Sequence, residues 1–147
     1  RLFGALVPFT GTDVPIEVHY RCNPDSPHLY WDRVFHFEGR PPFHFRSHME
    51  HTAAQGSEVI EYVRLGIGML LAVSAEEGAL VFRDLGYIWR IAGLRIPLPL
   101  GLLLGTAYVE ERPDPTDPEH FTMRMLLRHR WFGDVFRYSG RFRLGPQ

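Results

Sequence analysis

The chain has 147 residues, of which 45% are hydrophobic and 14% aromatic, and its formal net charge is −1. This size and composition predict one globular domain over residues 1–147, and they exclude a disordered or fibrous chain. No run approaches the roughly 18 apolar residues of a membrane-spanning helix, and the small net charge provides no general attraction for nucleic acid.

Two residue types limit the chemistry further. All 16 basic residues are arginine, so a Schiff-base lysine is excluded. Cys22 is the single cysteine, so no internal disulfide can form, and a reducing, cytoplasmic setting is expected. Arg1 to Phe9 lack the pattern of a complete signal peptide and are typical of the tail of an amphipathic helix, which predicts a short N-terminal helical piece.

The first half of the chain contains four runs in which apolar and polar residues alternate. Such runs predict β-strands because successive side chains of a strand point to opposite faces. In the second run Trp31, Arg33 and Phe35 share one face, and the polar face of the third run is expected to meet water. The four predicted strands are Val14 to Tyr20, Leu29 to Glu38, Phe43 to Ala53 and Glu58 to Arg64.

The second half continues this alternation. Its clearest example places Phe121, Met123, Met125, Leu127, His129 and Trp131 on one face of a strand. An earlier strand places Val81, Leu85, Tyr87, Trp89 and Ile91 on one face, and Phe82, Asp84, Ile88 and Arg90 on the other. The predicted strands are Met69 to Val73, Leu80 to Ile91, Thr106 to Arg112, Phe121 to Trp131 and Val135 to Arg143.

Residues 89–105 are strongly apolar but are interrupted by prolines and glycines. Proline cannot donate to a β-ladder and glycine adds no side-chain packing, so this segment predicts a strand that runs into an apolar flap. Leu102, Leu103 and Leu104 are therefore expected to be covered, either by the mouth of a barrel or by another chain.

These patterns together predict an all-β, mainly antiparallel fold. About eight or nine strands, with no long helix and no internal repeat, are typical of a closed or half-closed β-barrel or a strongly curved sheet. A barrel of about eight strands is either filled by its own side chains or holds one small molecule, and the sequence leaves both alternatives open. The side chains expected to line a cavity and bind a ligand are Trp31, Phe35, Phe45, Ser47, Trp89, Met123, Met125, Trp131 and Tyr138.

Known catalytic and metal motifs are missing from the sequence. His44 and His48 would lie about 13 Å apart on one face of a strand, with His51 on the other face, so the three cannot bind one ion. There is no Gly-x-Ser-x-Gly turn and no glycine-rich phosphate loop. We therefore expect no metal and no cofactor.

Polar residues on inward faces identify candidate catalytic groups. Arg33, Glu61 and His129 are the candidates for orienting a substrate or transferring a proton, with Ser47 and Glu110 as further inward polar residues. Arg33 and Glu61 are expected to form an internal ion pair, because buried charges are normally paired.

Three functions remain open at this point. The first is binding of a hydrophobic small molecule, such as an acyl chain or a polyketide- or terpenoid-like metabolite. The second is a metal-independent isomerase or cyclase that uses the same cavity. The third is a protein-interaction module in which Pro97 to Leu104 dock on an oxidoreductase or a second copy of the chain, without a membrane span or nucleic acid.

Several short motifs resemble those of an uncharacterised bacterial family, domain of unknown function 4166. The motifs that carry the resemblance, in chain order, are Gly11 with Val14-Pro15, Trp31-Asp32-Arg33-Val34-Phe35, Phe45-Arg46-Ser47, Glu61, Gly66, Gly93-Leu94-Arg95-Ile96-Pro97-Leu98-Pro99, Ala107 with Glu110, and Tyr138-Ser139-Gly140. The resemblance implies a protein that stands alone or follows an oxidoreductase or membrane segment, and it implies no reaction. The chain departs from the family pattern at Arg141-Phe142, where a tryptophan is expected, and at Arg130 to Phe132, where a proline is expected before Gly133.

Overall fold

The fold is a single antiparallel β-sheet, seen in a computed structural model that describes residues 7–52 and 57–143. The sheet has ten strands. Their bounds are β1 Ile16–Cys22, β2 His28–Phe35, β3 Phe43–His51, β4 Glu58–Tyr62, β5 Ile67–Glu76, β6 Ala79–Ile91, β7 Leu94–Leu98, β8 Thr106–Pro113, β9 His120–His129 and β10 Gly133–Arg143. A 3-10 turn at Arg64–Gly66 joins β4 to β5, and one helical turn, α1 at Gly101–Leu104, precedes β8.

The strands lie next to one another in chain order, with one exception. β6 is long and has two partners on the same side: its first half pairs with β8, and its second half, from Tyr87 to Ile91, pairs with β7. The sheet order is therefore β1 to β6 followed by β8 to β10, with β7 attached to β6 alone.

Strong curling brings the two ends of the sheet together. The rings of Phe35 on β2 and Tyr138 on β10 lie 6.2 Å apart, while no ladder joins β1 to β10 in the part of the chain that the structure describes. The sheet is thus a half-barrel, which confirms the predicted all-β, antiparallel fold and corresponds to the half-closed one of the predicted alternatives. The predicted N-terminal helical piece falls mostly on residues 1–6, outside the described residues, and residues 7–9 are not helical.

A bulge interrupts β6 at Leu85. The register with β5 shifts at this residue, and Gly86 has a φ of +133°, which favours glycine. The carboxylate of Asp84 accepts hydrogen bonds from the backbone N–H groups of Gly86 at 2.6 Å and Ala107 at 3.1 Å. Asp84 therefore satisfies two donors that the change of partner strand leaves without a ladder bond.

The bulge reverses the alternation of β6. Phe82 and Tyr87 both face the concave side of the sheet, whereas strict alternation had placed them on opposite faces. Trp89 was expected inside, but it is 38% exposed, and its indole N–H donates to the carbonyl oxygen of Leu65 at 2.9 Å. An unrecognised bulge explains the first error, whereas Trp89 keeps the parity of Tyr87 and is exposed because it lies near the end of β6, beyond the cavity wall.

The apolar segment after β6 is more regular than its prolines suggested. It turns at residues 92–93 into β7, which the sequence did not predict as a strand, and then forms α1. Gly105, with a φ of +89°, follows α1, and a Cβ there would overlap the carbonyl oxygen of Arg128, so glycine lets α1 approach β9. No helix of the described residues has the length and apolar character needed to span a membrane.

The leucines of α1 were expected to be covered by the mouth of the barrel or by another chain. In the single chain two of them are not covered by the barrel. Leu102 and Leu103 are 68% and 59% exposed, whereas Leu104 is half-buried and faces the concave side. One helical turn directs only part of a run of leucines toward the sheet, because successive residues are separated by about 100° around its axis.

Candidate functional site

A cavity lies on the concave face of the half-barrel. Side chains from every strand between β2 and β6 and from β8 to β10 reach it. Its apolar wall is formed mainly by Trp31, Phe35, Phe45, Met49, Val63, Ile67, Met69, Leu71, Phe82, Tyr87, Leu104, Val109, Met123, Met125, Leu127, Phe136 and Tyr138. Its charged residues are Arg33, Glu61 and Glu111. An apolar wall with a few convergent polar groups is typical of a site for a small molecule.

The enclosed space is small. Its volume is about 90 Å³, which is well above the roughly 10–15 Å³ that one water requires but below the roughly 150 Å³ of a cavity known to admit benzene. Four of the wall residues are methionines, whose flexible side chains can adapt to a ligand. A ligand of more than a few carbon atoms would displace these side chains or extend through the mouth of the cavity.

The polar side of the cavity is built around one ion pair. The Arg33 guanidinium donates to the Glu61 carboxylate at 2.8 Å, and the Ser47 hydroxyl donates to the same oxygen at 2.7 Å. The two charged side chains are 9% and 8% exposed. The pair expected from the sequence is therefore present, and it connects β2 to β4 across β3.

Arg33 also lies against two aromatic rings. Its guanidinium carbon is 4.7 Å from the ring centre of Trp31 and 5.1 Å from that of Phe45, positions that favour a cation–π interaction. Burial lowers the pKa of Arg33, but the Glu61 carboxylate more than compensates and holds it above its ordinary value. Arg33 is thus a fixed positive charge in the cavity wall.

Two buried donors beside the cavity have no acceptor within residues 7–52 and 57–143. They are the Nε of Arg33 and the indole Nε1 of Trp31, both in side chains that line the cavity. A buried N–H without a partner costs about 1–3 kcal/mol. These donors therefore identify a place where an acceptor atom of a bound molecule would be favoured.

Glu111 is a third charged residue of the cavity, and it was not predicted from the sequence. Within residues 7–52 and 57–143, its carboxylate has no hydrogen-bond or ion-pair partner. Burial raises the pKa of Glu111, the Arg33 charge opposes this rise, and the Glu61 charge adds to it. A carboxyl group in these surroundings is suited to accept or donate a proton.

Three tyrosines lie in or beside the cavity wall. Burial raises the pKa of Tyr138 to about 12, and burial also raises the pKa values of Tyr20 and Tyr87. The Tyr87 hydroxyl donates to the carbonyl oxygen of Gly105 at 3.2 Å, and that of Tyr138 donates to the sulfur of Met123 at 3.2 Å. The phenols are therefore neutral hydrogen-bonding groups rather than bases.

The structure brings most of the predicted ligand-binding residues together. Those that line the cavity are Trp31, Phe35, Phe45, Met123, Met125 and Tyr138. Ser47 lies behind the wall, bonded to Glu61. Trp89 and Trp131 do not line the cavity, and Trp131 is 69% exposed because β9 ends at His129 and the chain turns before Trp131.

Of the three predicted catalytic residues, two line the cavity and one does not. Arg33 and Glu61 line the cavity, whereas His129 lies outside it. Its Nδ1 accepts the backbone N–H groups of Trp131 at 3.1 Å and Phe132 at 3.3 Å, and its Nε2–H donates to the Leu102 carbonyl oxygen at 2.8 Å. Both ring nitrogens are used in holding the chain, so this geometry gives His129 a structural contact and not a position for proton transfer.

Glu110 was proposed as an inward residue, but its neighbour occupies that position. Glu110 lies on the opposite face, where it accepts from Tyr108 at 2.7 Å and Arg112 at 3.3 Å. The alternation of β8 contained the signal: Ala107 and Val109 are the apolar positions of this strand, and Glu111 continues their face.

The opposite face of the sheet carries a second polar cluster. His28, His48 and Glu50 offer ligand atoms that lie within 4.8 Å of one another, the arrangement among the described residues that could hold a metal ion. However, Arg90 and Arg95 both donate to the Glu50 carboxylate. Two guanidinium groups already neutralise this carboxylate and repel a cation, so the cluster fits an ion-pair network better than a metal site.

Replacing Arg33 by methionine should destabilise the fold by about 3–5 kcal/mol, since it leaves a buried carboxylate without its partner. The double variant Arg33→Met/Glu61→Gln should recover most of this loss, because no unpaired charge remains. Urea denaturation measures both. Arg83→Met, which breaks the exposed pair with Glu76, should leave the midpoint nearly unchanged. Equal midpoints for the single and double variants would show that the two charges are not coupled.

Glu111→Gln should become more stable relative to wild type as the pH rises from 4 to 7. A raised pKa in the folded state means that the folded protein holds its proton longer than the unfolded chain, so wild type loses stability above the ordinary value of 4.5. Glu110→Gln is the matched control with the opposite sign, because hydrogen bonding by Tyr108 lowers the pKa of Glu110. Melting temperatures measured from pH 4 to 7 test both variants. If the difference from wild type changed with pH in the same direction for the two variants, the opposite pKa shifts of Glu111 and Glu110 would be contradicted.

Comparison with protein-family models identifies the chain. A family described as a domain of unknown function (DUF4166) matches residues 1–142. No curated protein and no solved structure matches the chain. The match covers nearly the whole sequence and agrees with the resemblance of its motifs, so the protein belongs to the DUF4166 family.

Proposed function

We propose that this domain binds a neutral, largely apolar small molecule that carries one hydrogen-bond-accepting oxygen. The observation that carries this proposal is the pair of buried donors, Arg33 Nε and Trp31 Nε1, which have no acceptor in the wall of an apolar cavity. A ligand carbonyl, ester or hydroxyl oxygen would satisfy such a donor, and the apolar body of the ligand would fill the rest of the cavity.

The charges of the site favour a neutral ligand over a fatty-acid anion. Among the described residues, the cavity wall holds one cation, Arg33, and two carboxyl groups, Glu61 and Glu111. The Arg33 charge is already compensated by Glu61 at 2.8 Å. A ligand carboxylate would add a second negative charge beside Glu111 in a poorly solvated space, which is unfavourable.

A series of methyl ketones, from acetone upward, tests the binding without knowledge of the natural ligand. Each added methylene that enters the cavity should tighten binding about fourfold, because its burial contributes about 0.8 kcal/mol. The increase in affinity should stop once the alkyl chain of the ketone reaches the end of the enclosed space. Ligand-observed NMR titration measures the series.

Two neighbouring residues of β9 provide matched variants for this series. Met125 lines the cavity, whereas Leu126 points to the other face of the sheet. In Met125→Trp the affinity should stop increasing at a shorter ketone, and in Leu126→Trp the affinities of all the ketones should match those of wild type. If the affinity kept increasing with ketone length, or if both variants changed it equally, the ketones would be binding to exposed apolar surface instead of the cavity.

A second candidate function is metal-independent proton transfer, as in an isomerase or cyclase. The observation that favours it is the position of Glu111, a carboxyl group of raised pKa in the cavity without a protein partner. In this reaction the Glu111 carboxylate removes a proton from the carbon next to a ligand carbonyl, and Arg33 stabilises the enolate oxygen that forms. Return of the proton to the same or another carbon completes the cycle.

Hydrogen exchange of methyl butyl ketone in D2O tests this step. The protein should accelerate replacement of the protons beside the carbonyl by deuterium, since each abstraction is followed by return of a solvent-derived deuteron from Glu111. Proton NMR follows the loss of signal. Glu111→Gln should abolish the acceleration and retain ketone binding, while Glu110→Gln should match wild type. Binding without any acceleration in wild type would leave the domain a binding protein only.

A further inference from the structure

One end of the sheet concentrates the exposed apolar side chains of the domain. The connections at this end are residues 36–42, 63–66, 92–93, 99–105 and 130–132, and we call it the apolar end. Of the 14 exposed large hydrophobic side chains among the described residues, ten lie in these connections or within three residues of them. Two neighbouring pairs stand out, Trp131 and Phe132 at 69% and 77% exposed and Leu102 and Leu103 at 68% and 59%, and the single residues Leu65 and Leu94 are 74% and 66% exposed.

These side chains are held in place by a buried residue. His129 is 3% exposed, and its three hydrogen bonds join α1 to the turn between β9 and β10. Its ring also stacks on Phe132, with the ring centres 4.7 Å apart. The two most prominent apolar segments are therefore fixed to each other, and their exposure is a property of the folded structure and not of a loose loop.

Charge is distributed unequally between the two ends of the sheet. The connections of the apolar end contain Arg40, Arg64 and Arg130, with Glu38 as their one acidic residue. At the opposite end, residues 23–27, 77–78 and 114–119 contain no arginine and five acidic residues, which are Asp25, Glu77, Asp114, Asp117 and Glu119. We call this opposite end the acidic end: its connections are net negative, although Arg141 on β10 pairs with Asp114 and Asp117 there, whereas the connections of the apolar end are net positive.

The cavity extends toward the apolar end. Val63 and Ile67 line the cavity on either side of the turn at Arg64–Gly66, and Leu104 lines it from α1. Phe136, close to the turn between β9 and β10, completes this side of the wall. Exposed apolar side chains and the apolar part of the cavity wall thus belong to the same connections.

We propose that the apolar end docks on the surface of an anionic lipid bilayer, with Trp131, Phe132, Leu102 and Leu103 inserted at the level of the headgroups. Tryptophan, phenylalanine and leucine beside arginine are the side chains that favour the interface between lipid and water. Arg64 and Arg130, which have no protein partner among the described residues, would lie near the lipid phosphates, and the acidic end would point away.

A second copy of the chain is a weaker occupant of this surface. A two-fold dimer buries the same patch of both copies, so Arg40, Arg64 and Arg130 of each copy would enter the contact, with Glu38 as the one acidic residue of these connections. Burying more arginines than carboxylates opposes such a dimer, whereas anionic headgroups neutralise the same arginines. Docking on a bilayer also does not depend on what the cavity binds.

Co-sedimentation with lipid vesicles tests the proposal. The full chain should sediment with vesicles of phosphatidylcholine and phosphatidylglycerol in equal parts, and much less with phosphatidylcholine alone. Arg64→Gln/Arg130→Gln should weaken binding to the mixed vesicles about 30-fold, as expected for two arginines near an anionic surface. Trp131→Ser/Phe132→Ser should weaken it by at least about tenfold.

The control variant is Tyr30→Ser/Leu80→Ser, which removes two exposed apolar side chains away from the apolar end and should bind as wild type does. Circular dichroism confirms that each variant folds. Absence of sedimentation with either vesicle would overturn the proposal, as would equal losses in the control variant. A dimer in light scattering that Trp131→Ser/Phe132→Ser dissociates, without vesicle binding by wild type, would assign the surface to a second copy. Ketone binding, measured without vesicles, reports on the cavity separately.

Discussion

The buried pair of Arg33 and Glu61 is the constraint on which the rest of the structure depends. Each of these charges would be costly to bury alone, so strands β2 and β4 must place them opposite each other across β3. A shift of one residue in either strand would turn one of the two side chains to the outer face. The pair therefore fixes the register of the first strands, and the aromatic rings of Trp31 and Phe45 hold the guanidinium on the concave side.

The polar groups around the same pair are only partly satisfied among the described residues, and the proposal of a ligand site depends on this. Glu61 accepts hydrogen bonds from one guanidinium nitrogen of Arg33 and from the Ser47 hydroxyl, while the Arg33 Nε has no acceptor in the described part of the chain. Glu111 adds a carboxyl group whose pKa is raised by burial. The stable part of the network supports an apolar wall, and the unpaired atoms give that wall the capacity to orient a polar group of a ligand.

Alternation in the sequence was sufficient to predict the sheet, its half-closed form and the pairing of Arg33 with an internal carboxylate. Alternation gave wrong predictions where a strand contains an extra residue or ends, because inward and outward side chains no longer alternate there. The bulge at Leu85 reversed the faces of β6, because an extra residue in a strand leaves no mark in composition. Trp131 was placed inside by extending β9 beyond His129, its last residue. His129 itself is buried but lies at the end of the strand, outside the cavity. Glu111 was not predicted because its neighbour Glu110 was taken as the inward residue, although the apolar residues of β8 lie on the same face as Glu111.

The change of partner along β6 has a mechanical consequence. Beyond Asp84, β6 no longer pairs with β8, and the gap between them is closed by α1 and not by a ladder. Two side-chain hydrogen bonds, from Tyr87 to Gly105 and from His129 to Leu102, hold α1 in this gap. Separation at this seam breaks few bonds and leaves the remaining strands paired, so local opening there costs much less than global unfolding. The half-barrel thus has a built-in line of weakness beside Leu104, where a ligand too large for the closed cavity would have its easiest entry.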